Sequence, residues 1–462
     1  MKKILGKLKM RRSRPTSTVS TPEDTPIKPQ SEAQQTKNQP RQTIRKNSRI
    51  EDLPPEIRVQ LLASMELNEL HGLVHASPVF HESYLEYRNS ILRSSVIESL
   101  RNNVVDAIAV SRALDEKDRL QKYKNNMEKG AAALDSVSEH RLHQIAVFYR
   151  NTIAPLIPAY SNWALANLPD EVKDRPEAKV PLTRSEQQRI TRALYRWELY
   201  CRIFGRGSLS DTSPKRHDVP QHKVLRDYFC MFNPWETEEI MCLFYFITET
   251  YKEVSMEIQN DFRPVTPPIV MRPSTPDPTV MRPQTPPFDF TPFDLADGTA
   301  TRGLDLFGRV LTLRDQPDGL IPFLRPHIVH PVWKKTNIWQ MYLDEDPFYD
   351  ERIFYRRMQR HPNEHDEMTE RSDPLPFIGD DLDASGPPLA WTIMWGDTYS
   401  NLFGSFIPDK MKNWGYIFWD AWRLTKLAVD DGEMLAWQWE SSHTMDLRVQ
   451  ALWNVDPEAA DW

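Results

Sequence analysis

The sequence predicts a mainly α protein: an N-terminal cluster of three short helices, then a helical body interrupted by a proline-rich disordered insertion. Three observations carry that expectation. Apolar residues recur at steps of three and four over long windows, as they do along one face of a helix. Several segments open on a Ser-Pro, Asn-Pro or Pro-Pro pair, which places proline in the first helical position, where its missing N–H does no harm. Nothing in the first 260 residues reads as a strand. With 38 prolines and 15 glycines in 462 residues, the prolines mark linkers more than tight turns.

Residues 1–50 hold 13 Lys and Arg against 3 Asp and Glu, a charge of +10 that leaves −17 for the rest of a chain with formal charge −7. Their few apolar side chains cannot offset chain entropy, so a disordered basic tail is expected. It is compatible with a nuclear import patch, a transit peptide or no address at all.

Residues 51–92 are dense in helix starts. Helix one, from about Pro55, presents Ile57, Leu61, Leu62 and Met65, with Leu53 ahead and Glu56 in the first turn, where the helix dipole favours an acid. Helix two, with Asn68 as cap, presents Leu70, Leu73 and Val74. Helix three, capped by Ser77 with Pro78 following, shows Phe80, Tyr84, Tyr87 and Ile91 at steps of four and three. About 40 residues seldom fold without a metal, disulfides or a partner, and a partner is the natural expectation. The plainer alternative makes them the first helices of the following domain.

Residues 93–260 continue as a helical domain. Ile145, Phe148, Ile153, Leu156, Tyr160 and Trp163 form a stripe that Pro155 and Pro158 should bend or end. A capping box is expected at Ser185 with Gln188, ahead of the apolar face Ile190, Leu194, Trp197, Cys201 and Phe204. A last helix starts at Asn233-Pro234 with Glu236, and buries Ile240, Leu243, Phe244, Ile247 and Tyr251.

Residues 261–300 repeat Arg-Pro-x-Thr-Pro at 263, 272 and 282 and contain ten prolines. They read as an extended spacer or as a proline-directed phosphorylation segment at Thr266, Thr275, Thr285 and Thr291. The region 301–462 holds 11 of the 14 tryptophans; Trp391 with Trp395, and Trp414 with Trp419 and Trp422, fall at helix-like spacings and are expected in a core.

The 51–92 segment resembles the F-box, the motif by which substrate receptors attach to the Skp adaptor of cullin-RING ubiquitin ligases. That pattern opens Leu-Pro-x-Glu-Ile/Leu, continues with paired aliphatics and closes near Val-Ser/Cys-x-x-Trp. Leu53, Pro54, Glu56, Ile57, Leu61, Leu62, Met65, Leu70, Leu73, Ala76 and Ser77 fall in its register, while Pro78 replaces the usual basic residue and Phe80 the usual Trp. The forms LHGLVHASPVFHESYLEYR, ALYRWELYCRIFG and WGYIFWDAWRL look like segments of large filamentous-fungal families of F-box proteins.

The resemblance implies a non-enzymatic substrate receptor in cytoplasm or nucleus, bound through a Skp-type adaptor to a cullin. It further implies adaptor contacts from Leu53, Pro54, Ile57, Leu61, Leu62, Met65, Leu70, Leu73, Val74, Ser77 and Phe80, with residues 84–115 adding contacts or bracing the motif. Two alternatives remain: an F-box scaffold outside any ligase, and an enzyme with its site in 301–462.

Other chemistry is weakly signalled. Cys201, Cys230 and Cys242 form no CxxC pair, so neither a disulfide framework nor a zinc cluster is expected. No GxSxG, P-loop, HExxH or GxGxxG occurs, and no cofactor is expected. His71 and His75 lie four apart without a third ligand; His361, Glu364, His365 and Asp366 cluster beside Pro362, which argues for a loop. The longest apolar run, residues 240–247, falls far short of the ~20 residues that cross a bilayer. The acidic body makes nucleic acid an unlikely main ligand.

Overall fold

A computed structural model describes residues 50–111, 119–168, 172–205, 227–262, 298–327, 364–381, 384–404 and 409–427, with single residues between them. The basic tail and the four candidate phosphorylation threonines lie outside the described residues. Among those described there is no strand, only a single antiparallel bridge between Pro374 and Thr398. No helix there is long and apolar enough to cross a membrane.

The first four helices are α1 (Pro55–Ala63), α2 (Leu67–Ala76), α3 (Pro78–Glu86) and α4 (Arg88–Leu100). After α5 (Val104–Val110) and α6 (Arg119–Lys129), α7 (Glu139–Phe148) runs through a π-helical turn at Tyr149–Ile153 into α8 (Ala154–Ala166). The expectation that Pro155 and Pro158 bend or end this helix is only partly met, because the helix continues to Ala166. The wide turn sits where Pro155 would otherwise crowd the preceding carbonyl, and both proline rings face solvent.

The centre of the molecule is α9 (Arg184–Phe204), which packs along α10 (Pro234–Phe262). Its capping box lies two residues before the expected one: Thr183 is the cap, and Glu186 returns the bond to the Thr183 N–H at 2.9 Å. Ser185 instead donates to Asp420 at 2.6 Å. Ile190, Leu194, Trp197 and Cys201 are buried as predicted. So is the opposite, charged face.

Arg189 bonds Asp380 and Asp420, each at 2.7 Å, and Arg192 grips Glu239 with two bonds of 2.8 and 2.6 Å. Arg196 reaches Asp106 and Glu236 at 3.4 and 3.3 Å while stacking 4.1 Å over Phe232. Glu186 receives Arg423 bidentately at 2.7 and 2.8 Å, and Arg423 also caps the carbonyls of Glu177 and Pro181. Such fork-to-fork pairs fix geometry as well as charge. Burial opposes ionisation of Glu236, yet Arg196 and Arg192 outweigh it and hold its carboxyl below the usual range.

Around this ladder close α11 (Leu304–Leu313), α12 (Pro317–Leu324), α13 (Glu364–Glu370), α14 (Leu389–Met394), α15 (Asp409–Asn413) and α16 (Ala421–Leu427). Leu92, Tyr160, Trp197 and Ile247 share one continuous core with Phe307, Trp391, Tyr416 and Trp419. Thus 93–260 and 301–462 are not separate in their packing. The edges of the expected disordered insertion also contract: α10 extends through Phe262, and Ala296, Thr299 and Ala300 are buried. Trp391, Trp414 and Trp419 lie in the core as expected, and Trp422 is exposed. Glu364 opens a helix two residues after Pro362, where a loop was expected, because that proline precedes the helix instead of interrupting it.

One buried acid makes the fold sensitive to pH. Glu238 on α10, fully enclosed, accepts the Gly404 N–H at 2.7 Å; burial pushes its carboxyl up to about 7, against the pull of Lys412. The folded state therefore holds this proton more tightly than the unfolded chain. Stability from this group is complete below the ordinary Glu range and is lost as pH rises through about 7. Glu238→Gln should remove a fall of roughly 3 kcal/mol between pH 4.5 and 8, checked by urea unfolding at stepped pH.

Candidate partner-docking surface

The N-terminal cluster is built by its caps. Pro54 and Pro55 start α1, and α1 ends at Ser64. The expected cap of the second helix, Asn68, is displaced: α2 begins at Leu67, and Glu66 is the cap, its N–H accepted by Glu69 at 3.2 Å. Ser77 caps α3 as predicted, accepting the Phe80 N–H at 3.4 Å and donating its own proton to Glu51 at 2.6 Å. The predicted third stripe breaks at Tyr87, the residue between α3 and α4, so Ile91 belongs to a new helix.

Leu62, Leu70, Val74, Phe80 and Ile91 form a small core of their own, with Val59, Leu61, Met65, Leu73 and Tyr84 partly buried around it. This corrects the expected site. Leu62, Leu70, Val74, Ser77 and Phe80 are buried, where an outward contact face was expected. It also corrects the inference that the cluster needs a partner to close its core, because this chain's own Ile91 closes it. The sequence spacing could not distinguish the two, since Ile91 appeared to continue the third helix.

Of the remaining predicted residues, Pro54 and Ile57 are exposed, while Leu61, Met65 and Leu73 also pack against this core. Leu53, Ile57 and Leu61 follow one another at steps of four; Pro54 is exposed, Ile57 is 44 % exposed, and Leu53, Leu61, Met65 and Leu73 are half-buried. Ile50, which spacing did not single out, joins the exposed apolar set with Leu85 and Tyr87 of the expected 84–115 segment, at 51, 57 and 45 %. The Tyr87 hydroxyl is raised in pKa by a hydrogen bond to Glu86 and by the charges of Glu86 and Glu56.

Three polar ties fix the cluster to the body. The Leu67 N–H donates to Ser99 at 2.8 Å, Ser95 donates to the Leu62 carbonyl at 3.3 Å, and Arg184 bridges Glu66 and Glu98 at 2.9 and 2.6 Å. The signal for the first two lay in the four-residue spacing of Ser95 and Ser99 within an apolar helix.

His71 and His75 are exposed on α2 with ring centroids 4.1 Å apart; desolvation, Arg150 and His75 hold the His71 pKa below its usual value. No group of three metal-ligating side chains occurs among the described residues, and His361 lies outside them. Compared with family models, curated proteins and solved structures, the chain matches none.

Inner and outer residues should separate in their stability effects. Leu62→Ala, which leaves a cavity in a core of five side chains, should cost about 2–5 kcal/mol. Ile57→Ala should change stability by less than about 0.5 kcal/mol. Chemical denaturation of both variants checks the assignment.

Proposed function

We propose that the protein is an adaptor-binding receptor of F-box type, which docks a Skp-type adaptor through the outer face of residues 50–87 and thereby brings a bound substrate to a cullin-based ubiquitin ligase. The observation that carries this reading is the division of the 51–92 cluster. Its core is complete, yet Ile50, Pro54, Ile57, Leu85 and Tyr87 stay exposed on the same segment. Scattered exposed apolar residues need no explanation. Here four of the large exposed hydrophobics fall within 38 consecutive residues, on the segment that bears the F-box register.

Magnitudes define which residues must take part. Full burial of an aliphatic side chain yields about 1.5–3 kcal/mol, so the half-covered Leu53, Pro54, Ile57, Leu61, Met65 and Leu73 offer about half that each. Their total, about 5–9 kcal/mol, lies within the ~4–15 kcal/mol that association costs. Docking therefore requires Leu85 and Tyr87 as well. The receptor contributes proximity, while the chemistry belongs to other subunits.

Leu53, Pro54 and Ile57 changed together to Ala should reduce capture of a purified Skp-type adaptor at least tenfold while the melting temperature stays within a few degrees. Undiminished capture would refute the docking face. Adaptor without cullin in pull-downs from cells would favour a scaffold acting outside a ligase.

A further inference from the structure

Glu238 and Lys412 are buried ionisable groups on packed elements, and no bond joins them. The Glu238 side chain on α10 is fully enclosed; one carboxyl oxygen accepts the Gly404 N–H at 2.7 Å, and the other faces the Cys242 thiol at 3.9 Å. Lys412 on α15 keeps its side chain only 3 % exposed, yet its ammonium bonds outward, to the 61 % exposed carboxylate of Asp409 at 2.8 Å. The Lys412 charge acts on Glu238, but the two form neither a hydrogen bond nor an ion pair.

The other elements packed on α10 bring Glu238 no second cation. α8 supplies the Tyr160 hydroxyl and the turn Tyr416–Phe418 that of Tyr416; both hydroxyls are buried without a hydrogen-bond partner. α9 supplies Arg192, which is engaged by Glu239 through two bonds. On α10 itself Cys242 and Tyr245 lie near, the Tyr245 ring 5.9 Å from the Lys412 ammonium. A neutral Glu238 fits this arrangement, because an ionised carboxylate so placed would lack a paired charge. Once its proton passes to solvent the balance reverses. An unpaired buried carboxylate is costly, whereas a Lys412–Asp409 pair half in water contributes little. The flexible four-carbon stem of lysine lets the ammonium change partners.

We infer that Lys412 is the moving part of a pH-operated switch: it pairs with Asp409 at the surface while Glu238 is protonated, and turns inward to Glu238 when that proton is lost to solvent. The midpoint falls near neutrality, since burial pushes the Glu238 carboxyl up to about 7. Movement of Lys412 carries α15, and with it the turn Tyr416–Phe418, whose Phe418 carbonyl accepts Arg189 at 3.2 Å. The switch therefore reaches the charge ladder of α9. It does not rest on the receptor reading.

Hydrogen exchange of the full-length protein at stepped pH from about 5.5 to 8.5, corrected for the intrinsic pH dependence of exchange, tests it. Protection of Gly404 and of residues 409–418 should change at least fivefold, with a midpoint near 7. Glu238→Gln, of the same shape with no proton to lose, should keep the low-pH pattern throughout. Lys412→Met should abolish the local change while urea unfolding of the same variant still shows stability falling as pH rises, because Glu238 still titrates. That second readout separates a moving lysine from a carboxyl that merely titrates in place. No change in the wild type, a transition that persists in Glu238→Gln, or a local change that survives Lys412→Met overturns the switch.

Discussion

The buried charge ladder of α9 is the constraint on which the rest of the structure depends. Glu186, Arg189, Arg192 and Arg196 project from one side of a helix whose other side is apolar, and every one is enclosed. Their partners come from segments distant in sequence: Asp106, Glu236 and Glu239, Asp380, Asp420 and Arg423. Replacing a buried ion pair by apolar groups is often nearly neutral in energy, whereas leaving one of its charges alone typically costs 3–5 kcal/mol. The ladder therefore acts less as a store of stability than as a specification. Only an arrangement that brings all the partners to α9 together avoids stranding a charge, and this places the short C-terminal helices, which have little periodic pattern of their own.

The same logic, in weaker form, joins the N-terminal cluster to the body. Successive faces of α4 serve two cores: Ile91 closes the small one, while Leu92, Val96 and Leu100 enter the large one. Ser95 and Ser99 satisfy backbone groups of α1 and α2 at that seam, and Arg184 at the start of α9 pairs with acids on both sides of it. No linker intervenes. The helices α1 and α3 are thereby tied through α4 to α9 and everything attached to the ladder.

The apolar skeleton was legible in the sequence because burial imposes a period. Ile190, Leu194, Trp197 and Cys201, and likewise Ile240, Leu243, Phe244, Ile247 and Tyr251, are buried as their spacing requires. The charged face of α9 was not, because an arginine row on a helix ordinarily faces water and its partners lie 40 to 237 positions away. The capping frames at Thr183 and Glu66 differ from expectation for a local reason: both regions offer several polar residues that can cap, and only the packing of the next turn selects among them. In the N-terminal cluster the apolar positions were found, but their division into buried and exposed sets depends on α4, whose boundary at Tyr87 leaves no composition signal.

The central claim is that residues 50–91 form a finished miniature core that leaves exposed apolar side chains outside it. Hydrogen exchange of the full chain, with and without a purified Skp-type adaptor, tests it most directly. The account predicts that amides of the body from α5 to α16 exchange alike in both conditions, while those of α1 and of the α3 end near Leu85 slow markedly when the adaptor is present. Slowing centred on any other surface, or no change across residues 50–87, would contradict it.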